Sequence, residues 1–154
     1  MTEKALIVVH SCHHMNTEKI AHAMANILDA EVKRPQDIRP GDTGAYTLLG
    51  LGAGIDSGRH YAPLLEFAAA LPAAQGQRMF IFSTSGVGGA KKTARDHGAL
   101  RGILLSKGYE IAGEFSCKGF NTNSVLKHIG GMNKGRPNGA DLQAAADFAR
   151  KLEG

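Results

Sequence analysis

The sequence predicts a doubly wound α/β domain, a parallel sheet with helices on both faces, from three observations. Short continuous apolar runs recur along the chain, an amphipathic stripe follows most of them, and glycines gather where a run gives way to a loop. Residues 4–10 (KALIVVH) form the first run and read as a strand buried on both faces. Asn16 or Thr17 caps a helix whose Ile20, Met24, Ile27 and Leu28 share one stripe, ending near Ala30. A short second strand fits residues 30–33. The third covers 46–52 (YTLLGLG) and leads through a glycine-broken loop to a helix opened by Pro63 and closed by Pro72. The fourth is 78–83 (RMFIFS). Its helix follows the loop TSGVGGAKK, carries Ala94, Leu100, Ile103 and Leu104 on one stripe, and has Gly108 as the residue just past its end. Residues 109–117 read as a fifth strand, and Leu142, Ala145, Ala146, Ala149 and Leu152 define a last helix with Asn138 near its start. Right-handed crossovers connect such strands.

The chain of 154 residues is 43% hydrophobic and 21% charged, enough for one core and a single domain over 1–154. It contains no apolar run of about 18 residues, and its first residues show no cleavage site, so neither a membrane span nor a signal peptide is expected and the cytoplasm is the default location. Cys12 and Cys117 are too few for a disulfide scaffold or a four-thiolate metal site. The net charge of +4 is unevenly spread. Residues 1–77 hold six basic and eight acidic side chains, whereas residues 78–154 hold twelve and six.

Ligands of doubly wound sheets bind outside the carboxyl ends of the strands, which directs attention to residues 10–17, 53–61, 84–92 and 118–138. The first loop brings the hydroxyls of Ser11 and Thr17, the amide of Asn16 and several backbone N–H groups to a helix N-terminus, where an anion is favoured without any Lys or Arg. Those residues equally satisfy a plain helix cap, and both readings stand on the residues alone. The loop has no Walker lysine and no spaced-glycine dinucleotide fingerprint. Neither Ser11 nor Ser85 lies in a nucleophile-elbow motif, so no catalytic residue is expected. Cys12, His13 and His14 are adjacent, with His10 and His60 near the same rim, but no i, i+4 pair of histidines falls on a helix, and no metal is expected.

These loops resemble those of the flavodoxins. In that family the phosphate loop runs Ser, any residue, Thr, Gly, Asn, Thr, followed by a helix with an alanine four residues on; Ser11, Asn16, Thr17 and Ala21 take those places here. One extra residue separates Ser11 from Asn16, and His14 and Met15 stand where Thr and Gly are usual, a pattern seen in small members with a His-His pair. The resemblance continues through Gly52, Ala53, Gly54, Ile55 and Gly58, through Ser83–Gly86, and through Ser116–Phe120, covering essentially the whole chain.

The resemblance implies a five-stranded parallel sheet of order 2-1-3-4-5 and an FMN site. The phosphate would lie on Ser11, His13, His14, Met15, Asn16 and Thr17. The ring would lie between Ala53, Gly54, Ile55, Asp56 and Gly58 on one side and Thr84, Ser85, Gly86, Val87 and Gly88 on the other. That strand order also separates Cys12 from Cys117 by two strands, on the order of 14 Å, beyond disulfide reach. Flavodoxins stack aromatic rings on the flavin, whereas this loop has Asp56 and leaves Ile55, His60, Tyr61 and the more distant Phe120 as candidates; a more weakly held FMN is expected.

The implied activity is electron transfer between redox partners. A small NAD(P)H-dependent FMN or quinone reductase, or a flavodoxin-like oxidase, is the alternative, and a non-redox flavin-binding module is the third reading. Residues 78–139 hold ten basic and three acidic side chains, including Lys127, Lys134 and Arg136 in a long glycine-rich connection that reads as a basic lid. Typical flavodoxins are acidic and dock basic partners. This chain reverses the sign, which predicts an acidic, ferredoxin-like partner or a reductase, and no nucleic acid.

Overall fold

The computed structural model describes residues 4–11, 16–85, 90–118 and 137–153. In chain order the elements are β1 (Ala5–His10), α1 (Asn16–Leu28), β2 (Glu31–Lys33), two 3₁₀ turns (Pro35–Asp37 and Pro40–Ala45), β3 (Leu48–Asp56), β4 (Arg59–His60), α2 (Ala62–Ala69), β5 (Arg78–Ser85), α3 (Ala90–Asp96), α4 (Gly98–Ser106), β6 (Glu110–Lys118) and α5 (Gly139–Leu152). The sheet runs β2-β1-β3-β5-β6, with all four of these pairings parallel. That is the expected order of five strands, joined by one short antiparallel addition, β4 on β3. No helix among the described residues is long and apolar enough to cross a membrane.

β4 accounts for the largest departure from the sequence reading. The glycine-broken stretch after residue 52 is strand as far as Asp56, because it pairs with β4 as Ile55 with His60 and Asp56 with Arg59. Ser57 (φ 54°) and Gly58 (φ 80°) form the two-residue link, and positive φ at both positions matches the right-handed twist of the flanking strands. Tyr46, expected at the start of the third strand, instead follows a 3₁₀ turn, where its hydroxyl donates to Glu31 Oε2 at 2.7 Å and Lys4 lies over its ring. The helix expected after residue 92 is two helices that meet at His97.

Helix ends follow the predicted chemistry. Asn138 caps α5: its Oδ1 accepts from Asp141 N–H at 3.0 Å, and its own N–H donates to Asp141 Oδ2 at 2.8 Å. Gly108 (φ 88°) closes α4, with Tyr109 N–H donating to Leu104 O and Gly108 N–H to Leu105 O.

The sheet buries both faces. On one, Ile7, Val9, Phe80 and Phe82 meet Ile20 and Met24 of α1 and Ala145 and Ala149 of α5. On the other, Leu6, Val8, Leu49, Leu51 and Ile81 meet Leu64 and Phe67 of α2 and Leu100 and Leu104 of α4. Fully burying one such side chain contributes about 1.5–3 kcal/mol. The phenylalanines fit because their neighbours in register are glycines. A Cβ on Gly50 would stand 2.2 Å from Phe80, and one on Gly52 would stand 2.2 Å from Phe82.

Candidate functional site

Three of the predicted segments meet at the carboxyl ends of β1, β3 and β5. Ser11 follows β1, and its Oγ is buried with no hydrogen-bond partner among the described residues. Asn16 and Thr17 are buried in the first turn of α1. Thr17 Oγ1 and Thr84 Oγ1 lie 2.7 Å apart, tying that turn directly to the end of β5. Ser11 also lines an open cleft of about 270 Å³ with Val9, His10, Glu18, Arg34 and Gln36, which places one cation beside the proposed anion loop. Arg34 follows β2, far from the loop in sequence, and no motif pointed to it.

Ala53, Gly54, Ile55 and Asp56 lie on β3, Gly58 in the tight turn, and Thr84 and Ser85 at the end of β5. Asp56 is exposed and Ile55 half-buried. His13, His14, Met15, Gly86, Val87 and Gly88 lie outside the described residues, as do Cys12, Phe120 and the proposed lid with Lys127, Lys134 and Arg136.

Of the candidate ring contacts, Tyr61 borders β3 at this edge. Its ring packs on bare backbone, since a Cβ on Gly54 would stand 2.6 Å from Tyr61 Cε2, and it meets His10 edge to face at 5.8 Å. His60 does not face a ligand. It is 1% exposed, and its Nε2 donates to Phe82 O at 3.0 Å, pinning β4 onto β5. Alternation along the strand explains the contrast: with one of two successive residues turned inward, the other borders the rim.

Behind the hairpin runs a polar chain, buried at Ser83 and His97 and half-buried at Glu114 and Arg101, that sequence reasoning missed. Ser83 Oγ and His97 Nε2 are 2.7 Å apart, His97 Nδ1 and Glu114 Oε1 2.9 Å, and Arg101 clamps Glu114 through Nε at 2.7 Å and Nη2 at 2.6 Å. The carboxylate only accepts, so His97 Nδ1–H donates to it and the bare Nε2 accepts from the Ser83 hydroxyl. The His60 ring stands 4.9 Å from the His97 ring. Asp96 ends α3 beside Gly58, with Lys92 ion-paired to its Oδ2.

Burial fixes the protonation of this cluster. Desolvation, with repulsion from His97, brings His60 down to about 4, and desolvation also lowers His97 against the pull of Glu114. Burial alone would raise Glu114, but hydrogen bonds from Arg101 and His97 outweigh it and hold the carboxyl below its usual range. The order hydroxyl, imidazole, carboxylate is that of a hydrolytic triad, yet Ser83 is 1% exposed and His97 not at all, so no substrate reaches it. The chain is a clamp between β5, α4 and β6. No group of three or more metal-ligating side chains forms among the described residues.

This architecture is flavodoxin-like. Solved structures with the same fold include oxidised Flavodoxin 2 from Bacillus cereus, with a TM-score of 0.74, 15% identity and 97% of each chain covered. The apo form of an NADH:FMN oxidoreductase (EMOB) has a TM-score of 0.61 and 18% identity, covering 96% of this chain and 88% of the other. The chain itself belongs to the family of the uncharacterized protein MJ0298 of Methanocaldococcus jannaschii, to which it is 40% identical over 149 residues, 97% of either sequence. No established family model matches it.

Proposed function

We propose that this protein binds FMN and carries electrons between redox partners in the cytoplasm. The observation that carries this reading is the junction of the first loop with the sheet. A buried Ser11 hydroxyl lacking a partner among the described residues lies just before the first turn of a 13-residue helix, and the Thr17–Thr84 pair fixes that turn to the end of β5. These residues suit a phosphorylated flavin. Ser11, Asn16, Thr17 and the intervening His13, His14 and Met15 would hold the phosphate by hydroxyl, amide and backbone N–H donation at a helix N-terminus. Ala53, Gly54, Ile55, Asp56 and Gly58 would line one side of the ring, and Thr84, Ser85, Gly86, Val87 and Gly88 the other. The bound flavin supplies the electron-accepting and electron-donating chemistry, and the chain orients it and sets its surroundings.

Adding FMN to the apoprotein tests this by quenching of flavin fluorescence. Micromolar binding is expected, because among the described residues one half-buried tyrosine, Tyr61, borders the site, and Ser11→Ala should weaken it about tenfold through one lost hydrogen bond to a charged group. No quenching would leave a module without redox function. The likeness to the apo NADH:FMN oxidoreductase (EMOB) favours a second reading, a small reductase. Rapid reduction of the bound FMN by NADH or NADPH alone would select it, whereas reduction only through an added redox protein selects the carrier.

A further inference from the structure

The cleft at the ends of β1 and β2 lies apart from the proposed ring segments, because β2 is on the opposite side of β1 from β3 and β5. Lys33, the last residue of β2, pairs in register with Val8, so Arg34 stands about 4.8 Å, one strand spacing, from Val9, with His10 and Ser11 next along the chain. The backbone at Arg34 stays extended (φ −90°, ψ 159°), since a residue ahead of a proline is kept out of the helical region. Glu18, in the first turn of α1, and Gln36 complete the walls. Arg34 and Glu18 thus share one cleft, yet no ion pair joins them; the recorded partner of Glu18 is the exposed His22, at 3.9 Å. The Ser11 hydroxyl is buried with no partner among the described residues. Burial lowers the half-buried His10 imidazole below its ordinary value, so the fixed charges at neutral pH are one guanidinium and one carboxylate. The space of about 270 Å³ approaches the size at which small-molecule sites begin, about 300 Å³. The hollow beyond Gln36 is different, because Lys33 and Arg39 share it with Glu31, Asp37 and Asp42, an excess of carboxylate.

We propose that this cleft binds a ribose phosphate, with the phosphate held by Arg34 and the Ser11 hydroxyl and the ribose hydroxyls held by Glu18. A guanidinium meets phosphate oxygens through two parallel N–H donors. A carboxylate only accepts, so it needs a donor that a phosphate dianion lacks and a sugar hydroxyl has. A bare anion would satisfy Arg34 and be repelled by Glu18, and a bare cation would do the reverse. One ligand carrying both a phosphate and hydroxyls suits both walls. A side-chain cation meets the phosphate here, so the cleft needs no spaced-glycine loop. This inference goes beyond the flavin reading. Ser11 borders both places, which leaves two sources for the group: the adenylate half of a flavin dinucleotide whose first phosphate lies on the loop, or a separate nucleotide.

Isothermal titration calorimetry on the whole apoprotein tests this with AMP, adenosine, 2′-deoxy-AMP and inorganic phosphate as probes, in about 0.05 M salt to limit screening. AMP should bind about tenfold or more tightly than adenosine or phosphate, and Arg34→Gln should weaken it about tenfold through the lost bidentate contact. Arg39→Gln, in the adjoining hollow, should bind AMP like the parent chain. The parent should bind 2′-deoxy-AMP about threefold or more weakly than AMP, and Glu18→Ala should bind the two equally. No AMP binding, AMP affinity that matches adenosine or phosphate or survives Arg34→Gln, or a deoxy penalty that persists without Glu18 would overturn the ribose phosphate site. Titrations with FMN and FAD separate the sources. FAD binding more tightly than FMN, with AMP excluded from the FAD-loaded chain, selects the dinucleotide; equal flavin affinities, with AMP still binding the FMN-loaded chain, select a separate nucleotide. AMP displaced by FMN with no advantage for FAD would put AMP on the flavin loop and overturn the cleft. Binding of AMP without either flavin would remove the flavin reading and keep the cleft, and binding of FMN without AMP would do the reverse.

Discussion

The two faces of the sheet are built on different physics. Beneath α1 and α5 the problem is shape: Phe80 and Phe82 lie across Gly50 and Gly52, and Phe148 approaches Gly113, so volume is matched ring against backbone. Beneath α2 and α4 the lower part is equally apolar, but toward the carboxyl edge it becomes the chain Ser83–His97–Glu114–Arg101 with His60 alongside. One face is sensitive to an added methyl and indifferent to pH. The other holds neutral imidazoles and an ion pair, so solution conditions reach its interior. The polar chain backs the hairpin that borders the proposed ring site, which makes the chemically responsive face the one behind the ligand loop.

The sharpest break of this comparison is Gly50→Ala. Its Cβ would intrude on the Phe80 ring, which is itself fully buried between the sheet and its helices. Overpacking of this kind costs about 3 kcal/mol, equivalent to a fall of roughly 6–12 °C in Tm for a domain of this size. Urea unfolding at pH 7 and pH 5 should give the same loss, since no titrating group is touched. A loss below about 1 kcal/mol would mean that Phe80 swings aside freely and that the glycine is not what makes room for it.

Acid should act on the other face. The unfolded chain binds a proton at His60 near pH 6.5, whereas the folded chain does so only near 4. Folding stability is therefore unaffected by this group above about pH 6.5 and falls as pH drops toward 4, by about 3 kcal/mol from His60 alone, with His97 acting in the same direction. Glu114, held low, adds its own loss below about pH 4.5. His60→Asn should flatten the slope between pH 6.5 and 4 in denaturant titrations; an unchanged slope would show that His60 does not carry it.

Glu114→Ala comes next. It strips His97 Nδ1 of its acceptor and leaves Arg101 without its clamp, at a cost of about 2 kcal/mol, while Glu114→Gln should recover part of that through the amide oxygen. Equal losses for Ala and Gln would place the contribution in charge and not in the hydrogen bond.

The layout of these faces was open to sequence reading to different degrees. Of the five parallel strands, β1, β3 and β5 were readable because each is a continuous apolar run, and Gly108 and Asn138 announced their helix ends by residue type. The strand order came from resemblance in the loops, whereas the ligand segments followed from the fold class, whose ligands bind outside the carboxyl ends of the strands. The hairpin was hidden because its partner strand is two residues long and one of them is Arg59, leaving no apolar alternation to detect. The polar chain was hidden more deeply. Ser83, His97, Arg101 and Glu114 come from β5, the junction of α3 with α4, α4 itself and β6, and only packing brings them together. Within its own segment each looks like an ordinary polar residue. A histidine followed by Gly98 inside an amphipathic stripe was the single local hint that the helix turns there.

The smallest effect separates the faces most finely. Thr17–Thr84 is a neutral hydroxyl pair on the α1 side, buried and joining the first turn of α1 to the end of β5 at the proposed site. Thr84→Val keeps the shape and leaves the Thr17 hydroxyl without its partner, for a loss of about 1 kcal/mol. Thr17→Val should cost the same from the other end. The double variant should cost much less than the sum, because no polar group is then left unpaired. The same manoeuvre cannot work for Ser83 and His97, where removing one pair leaves Glu114 and Arg101 facing an apolar gap. Urea unfolding of the three threonine variants therefore decides whether the link on the shape-matched face is a removable pair; additive losses would show that it is part of a larger network reaching the loops on either side.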